Sequence, residues 1–190
     1  MTMMKSASIP EMITQSREVM TSPSVPTFER YERHGTVANA AMYVGIAAII
    51  AGLLGLGSGV GGVITGFLSA LAQFFVFTGL VYFLGKKMYD GTGTWDEVAY
   101  TFSLFTAPLI IIGALIGLVI TLFAWVPLIN ILVAFVGLIV GLALLLVQVY
   151  YAYIAVQSSM NLVNQSQALI TLVLSSVGTF IVMLLVAAIF

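Results

Sequence analysis

Apolar residues run in long unbroken stretches from position 36 onward, and polar residues collect before them and in short breaks between them. A helix that crosses the hydrocarbon core of a bilayer needs about 20 consecutive apolar residues. Five stretches reach that length, at residues 36–56, 63–84, 98–122, 129–156 and 168–190. The pattern therefore predicts an all-α membrane protein, with residues 36–190 forming a bundle of five transmembrane helices.

Residues 1–35 are polar and form the predicted cytoplasmic N-terminal segment. Four apolar residues in it recur at the spacing of one helical face: Met12, Ile13, Val19 and Met20. They predict a short amphipathic helix on the membrane surface, which Pro23 ends. Glu29 and Arg33 then stand at the spacing of a helical ion pair, so we interpret residues 28–34 as a solvated turn of helix.

The breaks between the spans carry turn signals. Glycines occupy four of the six positions 57–62, and Gly91 with Gly93 marks a turn after the second span. AWVPLIN at residues 124–130 predicts a hairpin. Residues 157–167 are polar but uncharged, and we expect a loop or a surface helix there. The loop after the second span contains the charged residues that follow the N-terminal segment, together with a tryptophan: Lys86, Lys87, Asp90, Trp95, Asp96 and Glu97. Thr94 and Glu97 also match a capping box for the third span.

The charges are unevenly placed, because all 13 lie between Lys5 and Glu97 and residues 98–190 carry none. The segment before the first span holds four basic residues and the loop after the second holds two. The turns after the first and third spans hold none. By the positive-inside rule the N-terminus and the second loop are cytoplasmic, and Phe190 lies on the opposite side.

Composition excludes several kinds of chemistry. Hydrophobic residues make up 61% of the chain, there is no Cys, and His34 is the single histidine. Thiolate chemistry and a histidine metal cluster are therefore excluded, and we predict neither an enzyme nor a cofactor. The basic residues of the N-terminal segment are mixed with acidic ones, which argues against a nucleic-acid partner. GLGSGVGG at residues 55–62 has no preceding strand, so it does not indicate a nucleotide site.

Small residues recur at spacings that allow helices to approach closely. Two GxxxG pairs occur in consecutive spans: Gly113 with Gly117, and Gly137 with Gly141. They predict close contact between the third and fourth transmembrane spans, with dimerisation through these glycines as the alternative. The first span has a similar smooth face, which begins with Ala41 and Gly45 and continues through Ala48 and Gly52. Pro108 should kink the third helix.

Gln73 and Gln148 are the largest polar side chains inside the spans. We interpret them as members of interhelical hydrogen bonds, and the alternative is that they line a substrate path. Coupled transporters normally mark their path with buried charge or broken helices, and the charges are missing here. We therefore predict a non-catalytic scaffold or accessory subunit that packs against another membrane protein or organises lipid. The alternative is a small transporter or permeation pathway.

Three segments resemble the Yip family of membrane proteins, which is named for Ypt/Rab interaction. REVMTSPSVPTFERY at residues 17–31 resembles the family's opening, in which an amphipathic helix leads to Ser-Pro and then Phe. DGTGTWDEVAYTFSLFTAPL at residues 90–109 resembles its glycine-containing loop and third span. VQVYYAYIAVQSSMNLVNQSQALITLVL at residues 147–174 resembles the junction of its fourth and fifth spans.

The resemblance implies five spans, a cytoplasmic N-terminus and a C-terminus on the other side. Eukaryotic members are tied to Rab GTPases and vesicle traffic. This chain lacks their long N-terminal region, and TFSLFTAPL stands where they carry a stretch richer in glycine and tyrosine. We therefore expect a member of the prokaryotic type in the bacterial cytoplasmic membrane. Its partners would be lipid and another membrane protein rather than a Rab-type GTPase.

The predicted orientation can be tested with reporters fused to each end of the chain. The distribution of basic residues places the N-terminus in the cytoplasm and Phe190 outside it, so the two fusions should report opposite sides. Reporters that found both ends on one side would contradict either the fifth span or the family resemblance.

Overall fold

A computed structural model describes residues 7–55, 59–123 and 125–189. These residues form helices, turns and irregular segments, and none of them is in a strand. The helices run in the order α1 (Ile9–Thr21), α2 (Val25–Tyr31), α3 (Val37–Leu54), α4 (Gly59–Tyr89), α5 (Trp95–Phe123), α6 (Pro127–Ser159) and α7 (Gln165–Ile189). The predicted all-α fold is confirmed, and a second short helix joins the predicted amphipathic one.

Each of the helices α3 to α7 is long and apolar enough to cross a membrane. Helices α4, α5 and α6 have 31, 29 and 33 residues. At about 1.5 Å per residue they exceed a hydrocarbon core of about 30 Å. Lys86 and Lys87, which the sequence placed in a loop, lie on the last turn of α4, which ends at Tyr89. Such a helix can keep its apolar part in the membrane and project its charged end beyond it.

Two predicted breaks are also shorter than expected. The break at residues 57–62 lies partly outside the described residues, and its last four residues begin α4. Residues 157–167 are divided between the end of α6, a short turn and the start of α7. In both places helix formation satisfies backbone groups that an extended loop would leave without partners near lipid.

Consecutive spans alternate in direction, so the starts of α3, α5 and α7 meet the ends of α4 and α6 at one end of the bundle. Helices α1 and α2 pack across that end, α1 on α5 and α2 on α6. We call these two helices the cap and this end of the bundle the capped end. The buried core lies here, because Val98 to Phe105 in α5 are all buried and so are most residues from 151 to 160 in α6.

The buried face of α1 is more polar than its sequence predicted. Met12 and Val19 are fully buried as expected, but Ile13 is exposed. Gln15 and Ser16 are buried in its place. The placement of Ile13 on the inner face was therefore wrong. Two polar side chains complete that face, because the spans beneath α1 offer hydroxyl groups that pair with them.

The segment after α1 is not a solvated turn, and that interpretation was wrong. Phe28 is fully buried, and its ring centroid lies 6.2 Å from that of Phe105. Arg33 pairs with Glu97, with 3.0 Å between Nε and Oε1, rather than with Glu29. Helix α2 is held by an aromatic side chain inserted among the spans, and burying such a ring contributes about 1.5–3 kcal/mol.

The predicted GxxxG contact between α5 and α6 is not formed by its glycines. The two helices do pack together, but a Cβ added to Gly113, Gly117 or Gly141 would meet no atom within 4 Å. Only Gly137 lies at the contact, where its Cβ would be 2.6 Å from Cδ1 of Ile120. Other contacts between these helices involve larger side chains, such as the rings of Phe105 and Tyr151, whose centroids lie 5.8 Å apart.

The smooth face of α3 does receive a neighbour, which is α4. A Cβ on Gly52 would lie 2.8 Å from Cγ1 of Val63, and one on Gly45 would lie 3.6 Å from the Phe67 ring. Ala41 is half-buried. Helix α5 runs without interruption through Pro108, which cannot donate a backbone hydrogen bond to Leu104. The kink itself stays a prediction.

Substituting leucine for glycine should separate the packed positions from the open ones. Gly52→Leu should lower the melting temperature in detergent, because a bulky side chain must displace Val63, at a cost of about 1–3 kcal/mol. Gly117→Leu and Gly141→Leu should melt within about 1 °C of the parent, since both sites are open. Equal destabilisation by all three substitutions would contradict the described packing.

Candidate functional site

The polar chemistry of this protein is concentrated at the capped end. Each charged residue that the structure describes lies in the cap, in the linker to α3, on the last turn of α4, in the following loop or on the first turn of α5. The buried hydroxyl and amide groups that hold the cap lie there too. This end is therefore the candidate functional site.

Tyrosine hydroxyls from three different spans bind the cap. The pairs are Tyr43 with the Ser16 hydroxyl at 3.0 Å, Tyr100 donating to Gln15 Oε1 at 2.6 Å, and Tyr151 donating to the Met20 carbonyl at 2.9 Å. Asn39 of α3 also donates to the carbonyl of Ala7, at 3.1 Å. A buried hydroxyl without a partner costs about 1–3 kcal/mol, so the cap both covers these hydroxyls and supplies the partners that replace water.

A further set of contacts fixes the cap internally. Glu18 of α1 accepts hydrogen bonds from Arg30 and from the Tyr31 hydroxyl of α2. The bond to Glu18 is the main reason that the pKa of Tyr31 is raised above its ordinary value. His34 makes an edge contact with the Tyr31 ring, with 5.7 Å between centroids. Helices α1 and α2 are thus tied to each other as well as to the spans.

The acidic residues of the predicted cytoplasmic loop have structural partners. Asp96 Oδ1 accepts the backbone N–H of Val37 at 2.7 Å, which caps the start of α3. The predicted capping pair is present, since Glu97 accepts the N–H of Thr94 at 2.7 Å and Thr94 accepts the N–H of Glu97 at 3.2 Å. Both acids therefore hold helix starts together, which uses the favourable field of a helix N-terminus.

Glu97 is also half of a buried carboxylate pair that the sequence did not reveal. The side chain of Glu97 is 8% exposed and that of Glu32 is 5% exposed, whereas Arg33 beside them is 70% exposed. The Arg33 Nε lies 3.0 Å from Glu97 and 3.7 Å from Glu32. Ser158 at the end of α6 donates to Glu32 Oε2 at 3.2 Å. One guanidinium therefore faces two buried carboxylates.

Burial is the main cause that raises the pKa of Glu32 to about 7, and the negative charge of Glu97 adds to the rise. The Ser158 hydrogen bond and the Arg33 charge oppose it. Sequence reasoning missed Glu32 because its neighbours in the fold lie on α5 and α6. No pattern around Glu32 in the chain indicates burial.

The other loop residues are dispersed. Lys86 lies over the ring of Tyr82, 5.4 Å from its centroid, and Trp95 makes an edge contact with Phe75 at 6.5 Å. Lys87 is exposed, and Asp90 has a positive φ of 53° where the chain turns. In the described part of the chain the lysines make no ion pair with the buried carboxylates, so the predicted loop residues do not form one site.

The α4–α5 loop packs tightly on the α6–α7 turn. A Cβ on Gly93 would overlap the carbonyl oxygen of Ser159, so only glycine fits. Gly91 lies against Met160 in the same way. Asn161 has a φ of 55° and donates to the Thr92 hydroxyl at 3.0 Å. The glycines predicted to mark a turn therefore also allow two loops to touch at the capped end.

The two intramembrane glutamines lie elsewhere. Gln73 and Gln148 are both exposed on the outside of the bundle. Within the described ranges neither side chain hydrogen-bonds to another span of this chain, so an interhelical bond of either glutamine stays a prediction and requires a partner helix. They do not line a common cavity either, because they lie on α4 and α6 with their side chains facing outward.

Two cavities between the spans have mainly apolar linings. One of about 390 Å³ lies between the outer halves of α5 and α6, lined by Leu115, Ile116, Val119, Ile120, Phe123, Leu132, Val133, Val136, Gly137 and Val140. Another of about 250 Å³ is lined by Ala48, Ala51, Gly52, Gly55, Gly66, Ala70 and Ile110. Neither has a charged lining residue. Among the residues described, no three metal-ligating side chains come together.

A family model described as the Yip1 domain matches residues 17–188. The chain belongs to the Yip1 domain family. The match confirms the resemblance noted in the sequence, and it begins within α1, so this Yip1 domain includes α2 of the cap as well as the spans. No curated protein and no solved structure matches the chain. The chain is thus a multi-pass membrane protein with a Yip1 domain.

The contact between the two loops can be tested at Gly93. Gly93→Ala should lower the melting temperature by several degrees, because the added methyl group overlaps the Ser159 carbonyl and backbone must move, at a cost of about 3 kcal/mol. Gly79→Ala in α4 is the matched control, since its Cβ meets nothing within 4 Å. It should be neutral or slightly stabilising. A neutral Gly93→Ala would contradict the contact.

Proposed function

We propose that this Yip1-domain protein is a non-catalytic scaffold or accessory subunit that packs against another integral membrane protein. The observation that carries the proposal is the exposure of Gln73 on an outward face of α4. A scaffold needs a recognition surface within the membrane, and an unpaired amide there is costly unless a partner meets it.

The depth of Gln73 supports this reading. It lies 13 residues before Lys86 in the same helix, which corresponds to about 20 Å along the helix axis. That distance places the amide well inside the hydrocarbon core if Lys86 lies at the membrane surface. Gln148 differs, because it lies one turn before Tyr151, whose hydroxyl bonds the cap. Gln148 therefore lies about 4.5 Å along the helix axis from the level of a cap contact.

The neighbours of Gln73 on α4 are small. Gly61, Thr65 and Ser69 precede it at intervals of four residues, and all are exposed. Small residues at this spacing let a second helix approach closely, and serine and threonine can hydrogen-bond across such a contact. A partner helix seated on this face would meet the Gln73 amide and would cover the small residues that α4 leaves open.

The arrangement of charge favours a scaffold over a transporter. The described acids near the spans serve as helix caps and ion pairs, and the cavities between spans are apolar. A coupled transporter needs polar groups at mid-membrane on an accessible path. We further propose that the capped end faces the cytoplasm, because the described basic residues all lie there.

The test is retention of partners during purification in mild detergent. Gln73→Leu should lose membrane proteins that copurify with the parent, while its melting temperature stays unchanged because the side chain is exposed. Gln148→Leu is the matched control, being the same change on another span, and should retain them. If both variants retained the partners equally, the proposal that the Gln73 face of α4 binds them would be wrong.

Reconstitution tests the transporter alternative. Purified protein in liposomes should move no ions or small solutes above the protein-free background, because no polar path is described between the spans. If the parent protein gave a flux and the double variant Gln73→Leu/Gln148→Leu abolished it, the scaffold proposal would be wrong and the protein would be a permeation pathway.

A further inference from the structure

The carboxylates of Glu32 and Glu97 lie where the cap meets the bundle, and they share a single cation. Their side chains are 5% and 8% exposed, and Arg33 Nε lies 3.7 Å from one and 3.0 Å from the other. If both acids were ionised, the buried site would hold two negative charges against one positive charge. A buried carboxylate without a full counter-charge is costly, and protonation of one of the two removes that cost.

The two acids differ in what fixes them. Glu97 belongs to α5 and keeps its hydrogen bonds with Thr94 whatever the cap does. Glu32 follows α2 directly, and its contact with Ser158 exists only while α2 packs on α6. Closing the cap therefore brings Glu32 out of water and next to the Glu97 carboxylate, and opening the cap returns Glu32 to water.

We propose that Glu32 takes up one proton from solvent when the cap closes and releases it when the cap opens, so that the cap is a proton-operated latch. The latch concerns the cap alone and does not depend on which protein the α4 face binds. Opening it would uncover the three tyrosine hydroxyls of Tyr43, Tyr100 and Tyr151 at the capped end.

Each element packed around Glu32 contributes to its charge state. Glu97 from α5 disfavours the ionised form, and so does Glu29 on the cap itself. Ser158 from α6 and the neighbouring Arg33 favour it. His34 is the remaining ionisable side chain near the cap, and it lies exposed against the Tyr31 ring. Glu18 of α1 is paired with Arg30 and Tyr31.

The direction of the effect follows from linkage. With burial as the largest cause, the pKa of Glu32 in the closed state is about 7, whereas an exposed glutamate titrates near 4.3. Protonated Glu32 therefore stabilises the closed cap. That stabilisation is fully present below the pKa of the open state and is lost as pH rises through the pKa of the closed state. Acid should close the cap, and mild alkali should loosen it.

A cysteine placed under the cap can report opening, because the chain has no cysteine of its own. Val19 is fully buried beneath α1, and Thr14 on the same helix is exposed. The full chain in nanodiscs, carrying Val19→Cys or Thr14→Cys, would be labelled with a maleimide at several pH values. The ratio of the two rates removes the pH dependence of the thiol itself. This ratio should rise about tenfold from pH 6 to pH 8.

The variants decide whether Glu32 is the group responsible. Glu32→Gln keeps the shape and stays neutral, so the ratio should remain low and flat with pH. Glu29→Gln should lower the midpoint slightly, because Glu29 is the weakest of the groups that disfavour ionised Glu32. His34→Gln, which alters an exposed group that does not act on Glu32, should keep the parent profile. Arg33→Gln removes the shared cation and should move the midpoint to higher pH, which provides a second measurement if Glu32→Gln folds poorly. A flat parent profile, a pH-dependent Glu32→Gln or a midpoint lowered by Arg33→Gln would each overturn the latch.

Discussion

Hydrocarbon offers no hydrogen-bonding partner, and this constraint governs where every polar group of the protein can lie. Helices satisfy their own backbone, so the spans can be almost wholly apolar. The described charges lie at one end of the bundle, where the loops and the cap can pair them with helix starts and with one another. The buried core lies at the same end. The opposite halves of α5 and α6 leave their apolar side chains open, as lipid permits.

The cap completes the bundle rather than resting beside it. It supplies acceptors and donors to hydroxyls from three spans, and Phe28 enters an aromatic cluster with Phe105 and, through Phe105, with Phe102 and Tyr151. Its attachment combines ring burial with hydrogen bonds, and the latter depend on a few polar side chains. An attachment of this kind can change with the protonation of a single group, which a wholly apolar contact could not do.

The same constraint separates two kinds of surface on the outside of the spans. Apolar faces such as the outer half of α6 are compatible with direct contact with lipid and require no protein partner. The face of α4 that carries Gln73 is different, because an amide in hydrocarbon gains from any protein group that meets it.

The sequence by itself determined the features that follow from local composition. These are the five spans, the amphipathic first helix, the capping pair of Thr94 and Glu97, and the concentration of charge before residue 98. Each depends on hydropathy or short-range spacing, which the chain displays directly. The family resemblance rests on the same kind of local pattern.

Only the tertiary structure decided which small and polar residues have neighbours. Gly113, Gly117 and Gly141 carry a packing motif but lie in the open, whereas Gly93, in an ordinary turn, touches another loop. The sequence indicated that Glu32 is solvated, whereas in the structure its side chain is buried against Glu97 of α5 and Ser158 of α6. A spacing motif in the sequence shows only that one helix face carries small residues. A charged residue in the sequence shows only which ionisable group is present. What each meets depends on how distant segments are brought together, and in a chain this apolar almost any helix face could be the one that packs.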